Sequence, residues 1–218
     1  TAEPGTPAGV KVALAPGDRP YEQGTTHFSV VDKDGNAVSY TSTIEGAFGS
    51  GLFFEGFYLN NELTDFSLTP QRDGKPVANR VEGRKRPRSS MAPTIVFDEA
   101  GEVVLVVGAA GGPTIPVQTA RAIIGVVDFG LTAQEAIGLP LIMAFGPTVV
   151  YEKDSVIEGY EDTLKELGHT RIRSFGASLK ANALRRVTAP DGTVSCEVAR
   201  DPRIEPKHSY ECYWRIKA

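Results

Sequence analysis

Thr25-Thr26-His27-Phe28-Ser29-Val30-Val31-Asp32-Lys33-Asp34-Gly35-Asn36-Ala37-Val38 reads as a strand, a Lys-Asp-Gly-Asn turn and a returning strand. Apolar and polar residues partly alternate on both sides of a turn that favours left-handed backbone angles. The start of the stretch carries chemistry. Gly24 precedes two threonines and then His27 at the mouth of the hairpin. A threonine released there as a chain terminus holds a hydroxyl and a free α-amine on one residue. With a pKa of roughly 7.7–8.0, that amine can act as general base for its own hydroxyl. This is the threonine form of nucleophilic catalysis at an N-terminus. A Thr-Thr pair is equally ordinary strand material, so spacing alone does not decide between the two.

The remainder of the chain sets bounds. With 218 residues, 41% hydrophobic and 23% charged, it can bury a sizeable core as one large domain or one and a half small ones. A net charge of −4 argues against a general polyanion-binding role. The one basic run, Arg84-Lys85-Arg86-Pro87-Arg88, lacks interleaved aromatics and reads as a solvated loop rather than a nucleic-acid patch. No apolar run approaches the ~20 residues of a membrane span. Cys196 and Cys212 are too few for a disulfide framework and read as two incidental thiols, with pairing in an oxidising compartment as the alternative. His27, His169 and His208 show no ligand spacing, so neither a metal nor a cofactor is expected.

Taken in order, residues 1–24 form a Pro/Gly/Ala-rich linker with one apolar run, Val10 to Leu14. The hairpin occupies 25–42. Residues 44–59, rich in glycine and phenylalanine, suit an irregular loop packed close to other backbone. Residues 70–88 read as a polar surface loop. A second hairpin pairs Thr94-Ile95-Val96-Phe97 with Val103-Val104-Leu105-Val106-Val107. Its second strand is apolar on both faces and should be central and buried, ending at Gly108–Pro113. A helix fits 117–129 with Gly130 as its stop. Thr132-Ala133-Gln134-Glu135 is a capping box for a short helix ending before Pro140. A further helix fits 160–167, stopped by Gly168, and a third hairpin covers 181–200 across Pro190-Asp191-Gly192. Strands, then helices, then strands predict an α+β layered domain.

Gly24-Thr25-Thr26-His27-Phe28-Ser29-Val30-Val31-Asp32-Lys33-Asp34-Gly35-Asn36 resembles the start of the small subunit of a γ-glutamyltranspeptidase. Further matches follow in order: Thr41-Ser42-Thr43, Asn60 to Ser67, Arg86 to Thr94 and Gly111-Gly112, continuing more weakly to Asp201-Pro202-Arg203. The resemblance implies half of a four-layer αββα N-terminal-nucleophile hydrolase sandwich, completed by a large subunit of the same precursor. Residues 1–24 then correspond to the end of the large subunit and 25–218 to the small-subunit catalytic portion. The implied activity is γ-glutamyl transfer and hydrolysis on glutathione and other γ-glutamyl amides, with an amino acid or water as acceptor. It also implies self-cleavage at Gly24–Thr25 and a periplasmic or secreted location.

On this resemblance Thr25 is the nucleophile and Thr43 orients its hydroxyl. Gly111 and Gly112 form the oxyanion site, where glycines let backbone N–H groups approach developing charge. A tight strand–helix turn is the plainer reading of the same pair. Ala109-Ala110 and Pro113 depart from the family pattern, and Pro113 biases Gly112 toward extended geometry. Ser89 and Ser90 match the residues that hold the α-carboxylate of a γ-glutamyl group. Glu62 and Asp65 match the acidic pair that holds its α-ammonium. Glu45 stands where the family usually has Asn, a donor to that carboxylate, and an ionised Glu45 would repel it. Two other readings follow: an amidase on glutaryl-type acyl groups, similar to the cephalosporin acylases, and a catalytically silent, unprocessed precursor.

Overall fold

The computed structural model describes residues 24–176 and 179–204. The expected linker up to residue 23, Cys212 and the tail beyond Ile204 lie outside the described residues. The chain divides into two compact units. Among the described residues, one comprises Gly24 and Ile44–Ser89, and the other Thr25–Thr43 with the chain from Ser90 onward.

The larger unit is built on the strand β8 (Val103–Ala110). The opening hairpin is β1 (Thr25–Val31) and β2 (Ala37–Thr43), paired in register from Thr25↔Thr43 to Val31↔Ala37. Its turn closes with Gly35 at φ +85° and with the Asp32 carboxylate accepting from the Asp34 and Asn36 N–H groups. β7 (Thr94–Phe97) and β8 (Val103–Ala110) form the second hairpin. β12 (Lys180–Thr188) and β13 (Val194–Arg200) form the third, and the sheet order is β13-β12-β8-β7. β8 is therefore central, as its apolar sequence predicts. It does not break at Gly108: pairing with β12 carries it to Ala110, opposite Lys180.

Two helices cover one face of this sheet, α1 (Ile115–Val127) and α2 (Ala133–Gly138). Leu105, Val107 and Ala109 of β8 pack there against Ile115, Ala122, Val126, Ala136 and Ile137. The capping box of α2 is present, Thr132 Oγ1 accepting from the Glu135 N–H and the Glu135 carboxylate from the Thr132 N–H. The β1–β2 hairpin covers the opposite face of the sheet, with Val31 and Ala37 against Val103 and Val106. The second face of β8 thus finds its partner within the chain. The outward side chains of the hairpin, Phe28, Val30, Val38 and Tyr40, are each about half exposed.

Residues 139–176 hold a helix within the expected 160–167 and three strands that the sequence did not suggest. β9 (Ile142–Phe145) and β10 (Thr148–Glu152) form a hairpin through Gly146 at φ +57°. β11 (Arg171–Phe175) then joins β10 in parallel after a crossover through α3 (Glu161–Glu166). Arg203 ties this region to the sheet, bonding Glu152 at 2.5 and 2.7 Å, Asp201 at 3.1 Å and the Leu139 carbonyl at 2.9 Å. Cys196 on β13 is disulfide-bonded, which corrects the reading of two incidental thiols.

The smaller unit holds two short ladders within stretches read as loops: β3 (Phe53–Phe54) with β4 (Phe57–Tyr58), and β5 (Gln71–Arg72) with β6 (Lys75–Pro76). Each turns on a pair at positive φ, Glu55-Gly56 and Asp73-Gly74. Two consecutive left-handed residues match the right-handed twist of a two-residue hairpin.

Candidate active site

The strand alternation of β1 sends Thr25, His27 and Ser29 inward. Thr25 is buried, and its hydroxyl donates to Thr43 Oγ1 at 3.2 Å across the first pair of the hairpin. The two threonines are 18 residues apart in sequence and share one face because the register is fixed from the turn. A cavity of about 410 Å³ opens beside them, and its polar lining includes Thr25, His27, Ser29, Lys180, Asn182 and Arg200.

Gly111 and Gly112 follow the end of β8. Gly111 adopts φ +133° and Gly112 φ +56°. The second value lies in the left-handed region, not the extended geometry that Pro113 favours, and glycine adopts it without a Cβ clash. Pro113 is the middle residue of a 3-10 turn, Gly112–Thr114, that leads into α1. The Gly111 carbonyl accepts from Thr114 Oγ1 at 2.8 Å. Gln118, fully buried on α1, secures this turn. Its Nε2 donates to the Ala110 carbonyl (3.0 Å) and to Thr114 Oγ1 (2.8 Å), and its Oε1 accepts from the Lys180 N–H (3.1 Å).

In the smaller unit, the Gly24 N–H donates to the Glu45 carbonyl at 2.6 Å. A Cβ at Gly24 would lie 2.5 Å from the Gly46 carbonyl oxygen, so only glycine fits. Glu45 is 4% exposed at φ +69°, and Asn61 Nδ2 donates to its Oε2 at 2.8 Å. Asn61 also accepts from the Gly46 N–H (2.8 Å), which anchors the loop around Glu45. Glu62 and Asp65 lie in a single 3-10 turn. Burial pushes the Asp65 carboxyl up, against the pull of the Arg88 guanidinium and a hydrogen bond with Glu62. Ser89 is exposed and closes this unit, while half-buried Ser90 opens the second segment of the larger one.

Thr25, Thr43, Ser90, Gly111 and Gly112 therefore belong to the larger unit, and Glu45, Glu62, Asp65 and Ser89 to the smaller. Gln118, Asn182 and the partners of His27 were not found by sequence reasoning. A glutamine at a core position of an apolar helix was the one available signal, since a buried amide needs partners. Among the described residues no group of three or more His, Cys, Asp or Glu is placed to hold a metal ion, and no helix is long and apolar enough to cross a membrane.

The family model for γ-glutamyltranspeptidase matches residues 3–209. The chain belongs to the γ-glutamyltranspeptidase family. It is similar to the glutathione hydrolase proenzyme of Bacillus subtilis strain 168, with 40% identity over 71% of this chain and 25% of the relative. The chain thus spans about a quarter of that relative's length. It is also similar to the crystal structure of the T380A mutant of Helicobacter pylori γ-glutamyltranspeptidase, at 34% identity and a TM-score of 0.72. That match covers 82% of this chain and all of the other. Cephalosporin acylase from Bacillus halodurans shares the fold, at 24% identity and a TM-score of 0.68 over 86% of this chain and 34% of that one. With its helices on one face of the β8 sheet and a strand hairpin on the other, the larger unit is α+β and forms part of the N-terminal-nucleophile hydrolase sandwich of this family.

Proposed function

We propose that this chain is the small-subunit portion of a γ-glutamyl acyltransferase and hydrolase, with residues 1–24 closing the large-subunit segment and 25–218 carrying the nucleophile. The observation that carries the reading is the buried Thr25 hydroxyl, hydrogen-bonded to Thr43 on the inward face of the first strand. Thr25 Oγ1 attacks the Gly24 carbonyl carbon, the Gly24–Thr25 C–N bond breaks, and the acyl group moves to oxygen as an ester. Water hydrolyses that ester, leaving a carboxylate on Gly24 and a free α-amine on Thr25. The amine then takes the hydroxyl proton as Thr25 attacks a γ-glutamyl amide. The leaving amine departs protonated, and water or an amino acid accepts the acyl group.

Gly111 and Gly112 serve the oxyanion, Ser89 and Ser90 the substrate α-carboxylate, and Glu62 with Asp65 its α-ammonium. The rest of the precursor is the partner subunit, no nucleic acid takes part, and the location is periplasmic or secreted. A second reading, on glutaryl-type amides, gains nothing from buried Glu45, because a glutaryl group carries the same terminal carboxylate that an ionised Glu45 would repel. Glu62 and Asp65 favour the first, since a glutaryl group has no amine for them to hold.

The test uses the complete protein and compares release of nitroaniline from γ-glutamyl-p-nitroanilide and glutaryl-p-nitroanilide. The γ-glutamyl compound is expected to be the better substrate by at least tenfold in kcat/KM. Preference for the glutaryl compound overturns the proposal in favour of the second reading.

A further inference from the structure

The inward face of the β1–β2 hairpin is polar along its first three alternate pairs: Thr25↔Thr43, His27↔Thr41 and Ser29↔Ser39. A hairpin packed on a sheet ordinarily presents apolar side chains there. These polar atoms form a continuous chain to the facing sheet. Asn182 Nδ2 donates to the His27 carbonyl at 2.8 Å, which leaves Asn182 Oδ1 to accept from Ser29 Oγ at 3.0 Å. Ser29 Oγ, having given its proton to Asn182, accepts from His27 Nε2–H at 3.2 Å. His27 Nδ1 is then the acceptor for the Thr41 hydroxyl at 2.7 Å. Proton bookkeeping around this chain places a proton on Nε2, and burial of the ring disfavours a second proton on Nδ1, which selects the neutral Nε2–H tautomer.

The ring also fixes a distance. His27 is 8% exposed and lies flat against the backbone of β8 at Gly108. A Cβ there would stand 2.3 Å from Cε1, 2.5 Å from Nδ1 and 2.6 Å from Nε2. The imidazole therefore occupies the space a side chain would take, and sets the height of β1 above β8. Two residues from the ring along one strand is Thr25, and three along the other is Gly111. Ser39 Oγ, donating to the Val107 carbonyl at 3.1 Å, holds β2 to β8 in the same way.

We propose that His27 is a positioning residue for Thr25: its neutral ring, seated on Gly108 and tied to Thr41, Ser29 and Asn182, holds the nucleophile strand in place over the strand that leads to the glycine turn. The inference rests on the reading of Thr25 as nucleophile. Displacing a reacting atom by about 1 Å costs on the order of a hundredfold in rate, so a spacer at this point acts on the chemical step more than on substrate affinity. Burial, which holds the imidazole down at about pKa 4, keeps the ring neutral near pH 7 and makes it a weak base there.

The test is a double-mutant cycle in the complete protein with His27→Ala, Gly108→Ala and the pair. The readouts are the rate of cleavage at Gly24–Thr25, kcat and KM for γ-glutamyl-p-nitroanilide, and Tm. Each single change is expected to slow cleavage and lower kcat by at least tenfold, with KM within about twofold of wild type. In the double variant the methyl enters space the ring has vacated, so the loss is smaller than the product of the two. His27→Gln, which restores a donor toward Ser29, recovers part of the kcat lost in His27→Ala. Losses that multiply, a change in KM alone, or singles within twofold of wild type overturn the inference. If the alanine variants do not fold, the imidazole nitrogen signals of the wild type decide: an Nε2–H tautomer at pH 7 supports the inference, and an Nδ1–H tautomer or an imidazolium overturns it. Failure of the underlying reading looks different, since cleavage would then persist in Thr25→Ala whatever stands at position 27.

Discussion

Acidification from pH 7 to pH 5 should destabilise the fold through His27 by an amount that can be worked out. In the unfolded chain the imidazole takes up a proton near pH 6.5, and burial lowers this to about 4 in the folded state. Between those values the unfolded state binds one more proton than the folded state. Stability attributable to His27 is therefore complete above the higher value and is lost as pH falls toward the lower one, at about 1.4 kcal/mol per pH unit. From pH 7 to pH 5 the loss is about 2 kcal/mol. Asp65, whose carboxyl is pushed up by burial against the pull of Arg88, contributes with the opposite sign. A comparison with His27→Gln isolates the imidazole. Urea unfolding of the complete protein at both pH values should show wild type losing about 2 kcal/mol more than the variant. An identical pH dependence in the two proteins would refute the claim that His27 is buried and neutral.

Three further outcomes are expected. Glu45→Asn keeps an acceptor for Asn61 Nδ2 and replaces an anion with a donor, so KM for γ-glutamyl-p-nitroanilide should fall about tenfold, or roughly 1.4 kcal/mol; a higher KM at every pH would show that Glu45 makes a favourable contact with substrate. Glu62→Ala or Asp65→Ala should weaken substrates that carry an α-amine by roughly 1.5–3 kcal/mol and spare those without one, as kcat/KM for paired substrates would reveal; equal losses would make the two residues structural. Arg203→Leu takes from Glu152 and the buried Asp201 the cation they are bonded to and leaves them only the field of Arg121, so denaturant unfolding should report a loss of about 3 kcal/mol, the lower end for a broken buried pair, and a loss under about 1 kcal/mol would show that the cluster contributes little.

The sequence disclosed those parts of the fold whose signals are local. The β1–β2 turn, the apolar run of β8, the capping box at Thr132 and the Asp191-Gly192 turn each lie within a few residues of the element they define. The sheet of β9, β10 and β11 was missed because β9 and β10 are short and meet at Gly146-Pro147, which reads as a break. β11 alternates Arg171, Ile172 and Arg173 like a surface segment, and its parallel pairing needs a crossover that no local pattern announces. The Asp73-Gly74 turn carried a legible hairpin signal that the polar composition of its surroundings obscured.

At the site, Thr25, Thr43 and the glycine pair were named through the family motifs. The supports of the site were not legible. Ser29 and Asn182 are 153 residues apart, and Gly108 meets His27 only because two sheets stack. Hydrogen bonds across layers depend on topology, which a linear pattern of residue types does not specify.

The central claim is that one hydroxyl, on Thr25, serves both cleavage and turnover. The most direct measurement is the intact mass and N-terminal sequence of the purified complete protein, as wild type and as Thr25→Ala. The wild-type protein should contain a fragment beginning at Thr25 and hydrolyse γ-glutamyl-p-nitroanilide, and Thr25→Ala should remain uncut and inactive with an unchanged Tm. Cleavage between residues 24 and 25 in the Thr25→Ala protein, or turnover by it, would contradict the account.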